Sequence, residues 1–514
     1  MNDFYSYHIF YFPFRWEVPG LEDKLFSEQV NMDNIPILPY SMWQRVQIDE
    51  DSTKQYSENI EEEMELFAER QYYFDFVHNA LYDVKDDSNN IVRHYERKDV
   101  KNGNVRYYIN VKDKSYELKV DALNLNIYST GVGVMSFYLK NEKENQSDEK
   151  SIRDINQFGR HIMPPYCGEF DPNNRSMLAE SIVIEGLVGD AGRYTDKFDY
   201  TIANGSATQR GLYNIWEPAR FIKNLIADFS SSLKVVPVID DRMMVSCWYG
   251  NNELSGKIKN ELYSEKDKTD KINYELENDF LYKYVFVDNG NDLTCQNKAM
   301  KYDLLQKALY MRWQKYGTMY GVSRYSFVAL TDGGSFAKNT LSMHVRTIYS
   351  RMLELVIIQR ASILRFSGEV ARVSALKGKD DKEMAKRISS LYKEYIRFVN
   401  QVYFRSVTAQ DQGIELYDML LKQFDTNAQI KDLDNEIGEL HQYATLLIDQ
   451  RRNETAEWLN WVAAILLPAT LMTGIFGMNQ VCEKSLPMSF AIEISIIVAI
   501  SLLMYFLLLK RKRR

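Results

Sequence analysis

Small and polar residues recur at intervals of three and four near the carboxyl end of this chain: Asn453, Ala456, Asn460, Ala463, Leu467, Thr470, Gly474 and Gly477. At 3.6 residues per turn they make one stripe on a helix, and the positions between them in the apolar part are mostly Trp, Val, Ile, Leu and Met. In lipid such a stripe faces protein or water, so it serves either close helix packing through small residues or the lining of a polar path. The stripe runs into Gly477-Met478-Asn479, which puts an amide side chain at the end of the apolar run. Other chemistry is hard to find. The six histidines, His8, His78, His94, His161, His344 and His441, form no metal-ligand pair. Cys167, Cys247, Cys295 and Cys482 lack any Cys-x-x-Cys spacing and are expected to be reduced thiols in a cytosol. No nucleophile elbow or phosphate loop occurs, and Thr331-Asp332-Gly333-Gly334-Ser335 reads as turn chemistry. Catalysis is not expected.

The elements that would position the stripe are two apolar stretches, Trp458 to Phe476 and Phe490 to Leu509. Each has roughly 20 residues, which at ~1.5 Å per residue matches the roughly 30 Å of a bilayer's hydrocarbon core. Arg451-Arg452 and the terminal Lys510-Arg511-Lys512-Arg513-Arg514 both belong on the cytoplasmic side, and Gln480 to Ser489 is too short to be a domain. The expected layout is therefore a first transmembrane helix over 458–479, an outer loop over 480–489, a second transmembrane helix over 490–509 and a basic tail over 510–514. Both termini would be cytoplasmic in a multi-pass protein of the cell (inner) membrane. The first residues, Phe4 to Phe10, alternate like a strand and lack the basic leader of a signal peptide.

The remainder has the composition of a soluble body: 26% charged residues and a formal net charge of −8 over 514 residues, with mean hydropathy −0.39. Its acidity argues against nucleic acid as a partner and suits cation handling. Residues 1–335 mix strand signals (Val105 to Val111, Ser115 to Val120, Val132 to Leu139, Leu233 to Ile239, Tyr282 to Val287, Tyr325 to Leu330) with helical ones (Ile60 to Tyr73, Pro218 to Phe229), giving an α/β or α+β cytosolic domain. Asn102-Gly103 marks a turn, and Asn141 to Lys150 reads as a mobile loop. A helical region follows over 336–427, with helices expected from Thr340 to about Lys377, Lys382 to about Ser406 and Asp411 to about Phe424. A stalk helix over 428–457 carries a heptad seam of Ile430, Leu433, Ile437, Leu440, Ala444 and Leu447. No proline lies between Ala428 and Leu467, so stalk and first span form one helix of roughly 75 Å. Oligomerisation, or packing on the preceding helices for part of the length, supplies its neighbours.

The carboxyl-terminal segment resembles the CorA family of magnesium channels, two-span proteins with a Gly-Met-Asn signature at the end of the first span. Gly477-Met478-Asn479 matches the signature, and Asn453, Leu459, Pro468, Thr470, Gly474 and Ile475 stand at the family's spacings from it. The resemblance implies a funnel-shaped homopentamer whose first spans line a central pore for hydrated divalent cations, Mg²⁺ first, with Co²⁺, Ni²⁺ or Zn²⁺ as other cargoes. It implies that Gly477, Met478 and Asn479 form the selective entrance. Asn453, Ala456, Leu459, Asn460, Ala463, Leu467, Thr470 and Gly474 would line the path. Neutral oxygens suit that task, because Mg²⁺ gives up its waters reluctantly and is held through its hydration shell, weakly enough to leave again. No covalently bound cofactor is expected. In Mg²⁺-gated relatives, carboxylates between subunits bind the ion as a regulator. Here Glu436, Glu439 and Asp449 are the candidates, while Gln442 takes the place of one such acid. Phe476 stands where tyrosine is usual and Gln480 where an aromatic is common; both leave the amide ligand intact. A zinc-transporting branch and a membrane-anchored cation sensor are the other readings.

Overall fold

The computed structural model describes residues 4–48, 60–85, 90–111, 113–160, 179–189, 192–197, 218–240, 242–261, 279–290, 292–375 and 381–478, with Ser495 and Ala499. The chain divides into two units, Met1–Ala375 with Ser390–Ile437, and Leu376–Ser389 with Gly438–Arg514.

The first unit is built on a 13-stranded sheet. Its strands are β1 (Ser6–Glu17), β2 (Trp43–Arg45), β3 (Val92–Arg97), β4 (Arg106–Val111), β5 (Lys114–Tyr128), β6 (Val132–Asn141), β7 (Ser181–Glu185), β8 (Thr195–Lys197), β9 (Lys234–Pro237), β10 (Met244–Gly250), β11 (Leu309–Tyr310), β12 (Met319–Val322) and β13 (Ser326–Thr331). They lie in the order β11-β12-β13-β10-β1-β6-β5-β4-β7-β8, with β3 beside β5, β2 beside β3 and β9 beside β1. Neighbours are antiparallel except β10 and β13, which are parallel.

β1 sits at the centre and is buried on both faces from Ser6 through Phe14. Pro13 has no N–H to give to a ladder. It falls where the neighbour of β1 changes from β10, ending at Tyr11, to β9, beginning at Phe14.

Helices cover both faces of the sheet. On one side, Glu149–Gly159 and Arg220–Phe229 pack through aromatic residues: Phe137 and Tyr107 each meet Phe221, with centroids 5.8 and 6.3 Å apart. Gly159 is required there, because a Cβ would stand 2.6 Å from Phe10 Cζ and 2.8 Å from Ile109 Cδ1. On the other side lies the helix Ile348–Ser374, whose sheet-facing residues are polar as well as buried. Ser350 Oγ meets the hydroxyls of Tyr11 (2.8 Å) and Tyr138 (2.9 Å). Glu354 accepts from Asn126 Nδ2 and, at 3.1 Å, from Tyr128. Thr130 pairs with Ser362 at 2.8 Å. These six hydroxyls are tolerated inside a core because each is paired, and Glu354 accepts through Oε1 while Arg351 Nη1 stands 4.0 Å from its Oε2.

Three expectations are corrected. Tyr282 to Val287 is no strand but part of the helix Phe280–Phe286, bounded by Asp279 and Val287 at positive φ. Its aromatics satisfy helical spacing, Phe280 on Tyr284 at 5.3 Å and Tyr282 on Phe286 at 4.7 Å, and packing of such i, i+4 pairs overrides strand propensity. Asn141 to Lys150 is ordered: buried Gln146 accepts from Glu117 N at 2.8 Å and donates to Glu117 O at 3.0 Å, and Asp148 caps the helix that follows. The helix expected from Thr340 is interrupted. A π-turn over Ala337–Leu341 and a short helix Ser342–Arg346 precede a break at Thr347, whose hydroxyl bonds back to Met343 O at 2.8 Å. The helices expected at Ile60 and Pro218, and the strands at Val105, Ser115, Val132, Leu233 and Tyr325, are present within a few residues, although β5 continues well past Val120.

Of the second unit, residues 381–389 and 438–478 are helical, as are Ser495 and Ala499.

Candidate pore helix

The last described helix runs unbroken over Thr426–Met478, 53 residues, as the absence of proline before Pro468 allows. Its start is fixed by Asp425, which at φ 53° ends the preceding helix Asp411–Phe424 and turns the chain. Arg360 Nη1 takes the exposed carbonyl of Phe424 at 2.7 Å. Two tyrosines of the segment after Ser390 then brace the first turns: Tyr403 donates to Asn427 Oδ1 at 2.5 Å and Tyr395 to Asp434 Oδ1 at 3.2 Å. Burial and the neighbouring Asp434 carboxylate both hold the Tyr395 hydroxyl above its usual range, so it remains a donor. Neither brace was legible in the sequence, because nothing local marks which tyrosine meets a residue some 25 to 40 positions away.

The heptad seam is largely satisfied inside one chain. Ile430, Leu433, Ile437, Ala444 and Leu447 are all buried, and Leu440 is half-buried. The seam alone therefore does not require a second copy. Apolar residues off the seam remain uncovered, among them Tyr443 at 48% and Leu446 at 67% exposure.

Asn453, Ala456, Leu459, Asn460, Ala463, Leu467, Thr470 and Gly474 are all on this helix and all exposed. Exposure alone does not single them out, since Leu466 and Leu471, away from the stripe, are as open as Leu459 and Leu467. A Cβ at Gly474 would meet nothing within 4 Å. Thr470 Oγ1 donates to Leu467 O at 3.0 Å, within the turn around Pro468. Gly477 and Met478 close the helix, and Asn479 lies outside the described residues. So do the expected outer loop, the basic tail, and the second span except Ser495 and Ala499. Among the described residues no helix is long and apolar enough to cross a membrane; several side chains of the expected first span are themselves outside that set.

Glu436, Glu439 and Asp449 are exposed, and Asp449 lies 3.9 Å from Arg452 Nη1. A spacing of three makes Glu436 and Glu439 neighbours on a helix, whereas Asp449 comes about 15 Å further along than Glu439. Among the described residues no group of three or more His, Cys, Asp or Glu is placed to hold a metal ion. The described histidines His8, His78 and His94 hydrogen-bond within the fold. Cys247 is buried and Cys295 partly so, both free; His161, Cys167 and Cys482 lie outside the described residues.

Residues 367–511 match the family model described as CorA-like Mg²⁺ transporter protein, a span that takes in the long helix, the Gly477-Met478-Asn479 signature and both apolar stretches. No curated protein matches the chain.

Proposed function

We propose, from the match of residues 367–511 to the CorA-like Mg²⁺ transporter model, that this chain forms a membrane channel for hydrated divalent cations, with Mg²⁺ as the principal cargo. The family match over the segment that ends in Gly477-Met478-Asn479 carries the reading. The uninterrupted helix Thr426–Met478, with the stripe from Asn453 to Gly474 uncovered in a single chain, supports it. In this reading five copies surround an axis in the cell membrane with both termini in the cytoplasm. The amide oxygens of five Asn479 side chains receive the ion through its water shell, with Gly477 carbonyls beside them. Neutral donors do not strip the shell, so entering costs little and leaving stays fast. Thr470, Asn460 and Asn453 pass hydrogen bonds to the hydrated ion, and Leu459 and Leu467 form apolar rings able to close by dewetting. Glu436, Glu439 and Asp449 are the candidate sites through which intracellular Mg²⁺ acts as a regulator. Turnover of a substrate has no place in this reading.

The test is ion flux through the purified full chain in liposomes, across Mg²⁺, Co²⁺, Ni²⁺ and Zn²⁺. Mg²⁺ flux in the wild type and its loss in an assembled Asn479→Ala variant are the expected results. No flux of any of the four ions would leave a sensor that kept the scaffold, and full flux in Asn479→Ala would overturn the entrance assignment.

A further inference from the structure

A line of buried and half-buried polar side chains crosses the first unit from strand β3 through β5 to the helix Ile348–Ser374 and on to the helix Ile60–Tyr72. It starts at His94 of β3, which is 8% exposed. His94 Nδ1 meets Asn126 Oδ1, and Asn126 Nδ2 donates to Glu354 Oε1. Arg351 Nη1 stands 4.0 Å from Glu354 Oε2, and its Nε donates to Glu69 Oε1 at 3.2 Å. The hydroxyls of Tyr128 and Tyr82 donate to Glu354 at 3.1 Å and to Glu69 at 2.9 Å. On its other side, His94 Nε2 lies 3.2 Å from Glu96 Oε1.

Each contact in the line fixes the next proton. A carboxylate only accepts, so Asn126 turns its NH2 to Glu354 and its oxygen to His94, and that oxygen requires the proton on Nδ1. In a neutral ring the single proton is then spent, and the lone pair of Nε2 faces the Glu96 oxygen, acceptor against acceptor. A second proton, on Nε2, turns that contact into a charge-assisted hydrogen bond. Glu96 stays ionised to receive it: its carboxyl is pushed down to about 2, by the bond to His94 first and in part by Lys101, against the opposing effect of burial. Lys101 Nζ lies 3.5 Å from the other oxygen of Glu96. Asp83 Oδ2 accepts from His94 N at 3.2 Å, but this carboxylate is offset by Arg45, which bonds both of its oxygens. Farther along, Glu69 and Glu354 set two carboxylates against Arg351, which also favours a cationic ring at His94.

We propose that His94 is an acid-responsive tie: a second proton on its ring closes the bridge from Glu96 to Asn126 and tightens β3, through β5, onto the helix Ile348–Ser374. Imidazole is the side chain whose charge changes between about pH 5 and 8. The bond exists only with the proton, so the protection it gives is present on the acid side of that range and is lost as pH rises. About 9 Å beyond Glu354 on the same helix, Arg360 holds the Phe424 carbonyl just ahead of the long helix. The tie therefore acts on the element that fixes where the candidate pore helix begins, and it stands whatever that helix conducts.

Amide hydrogen exchange on the full chain in detergent tests it, read by mass on peptides covering β3 and residues 348–360 at pH 8.0 and 6.0 and scaled for the intrinsic pH dependence of exchange. In the wild type the scaled exchange should be about threefold to fivefold slower at pH 6.0, the effect of a partly exposed charge pair. In Glu96→Gln the amide donates to a neutral ring and accepts from a charged one, so the scaled exchange should be equal at the two pH values. His94→Gln should lose the pH dependence as well. Lys101→Gln, which removes the other partner of Glu96, should keep it. A folded wild type whose scaled exchange does not slow at pH 6.0 would overturn the proposal. So would a pH dependence that survives in Glu96→Gln or vanishes in Lys101→Gln, and these two variants decide the matter even if His94→Gln fails to fold.

Discussion

His8 lies wholly buried in β1, between Cys247 and Leu139 on the flanking strands. Its Nδ1 is 2.7 Å from Asn156 Oδ1 and its Nε2 2.8 Å from Ser6 Oγ, which in turn receives Asn141 Nδ2 at 3.1 Å. An amide oxygen can only accept, so the proton sits on Nδ1 and Nε2 accepts from Ser6. That neutral ring is fully satisfied, and burial resists a charge on it, lowering its pKa from 6.5 to about 4 despite the favourable bond to Asn156. The unfolded chain takes the proton near pH 6.5 and the folded chain only near 4, so between these values the unfolded state binds more protons and stability falls as pH falls. The gap of about 2.5 units corresponds to about 3 kcal/mol in full, of which about 1.4 kcal/mol is already lost at pH 5.5. His8→Gln keeps one donor and one acceptor and does not titrate. Thermal unfolding of the full chain in detergent, followed at pH 7.5, 5.5 and 4.5, should show a steeper fall in the wild type than in His8→Gln. Parallel pH profiles for the two proteins would refute the assignment of a neutral, buried His8.

Gly159→Ala would push a methyl into Phe10 and Ile109 and should cost about 1–3 kcal/mol by overpacking; an unchanged melting temperature would deny the close approach. Glu354→Ala removes the acceptor of Asn126 and Tyr128 and weakens the surroundings of Arg351, 4.0 Å away. About 3 kcal/mol should be lost on chemical denaturation, and less in Glu354→Gln. On the long helix, Leu433→Asp should unfold or soften the single chain, because Leu433 is 1% exposed within it. Leu446→Asp should leave the chain folded and loosen the assembly, read by mass in mild detergent; an unaltered oligomer would remove Leu446 from any subunit contact. After cysteine substitution, positions 463, 470 and 474 should react with water-soluble thiol reagents and positions 465 and 472 should not, whereas equal labelling would place the helix away from an aqueous path.

What sequence determined, it determined through local rules. Helical spacing and absent prolines were enough for Asp411–Phe424 and for the helix from Thr426 to Met478, because these features act within a few turns. The Gly477-Met478-Asn479 signature was likewise readable as a string of residues, and the family match rests on the same stretch. Tertiary structure decided where local rules were indifferent. Aromatic residues from Phe280 to Phe286 fit a strand or a helix equally well until packing chose, and β1 was drawn into the middle of the sheet by partners more than a hundred residues away. Of the two neighbours open to the seam, other subunits or the same chain, the single chain already covers most of it. His94, Asn126, Glu354, Arg351 and Glu69 meet in one line although more than two hundred residues separate its strands from its helix. No periodicity or spacing announces such a meeting, since it arises only when loop, strand and helix are brought together by the burial of everything else.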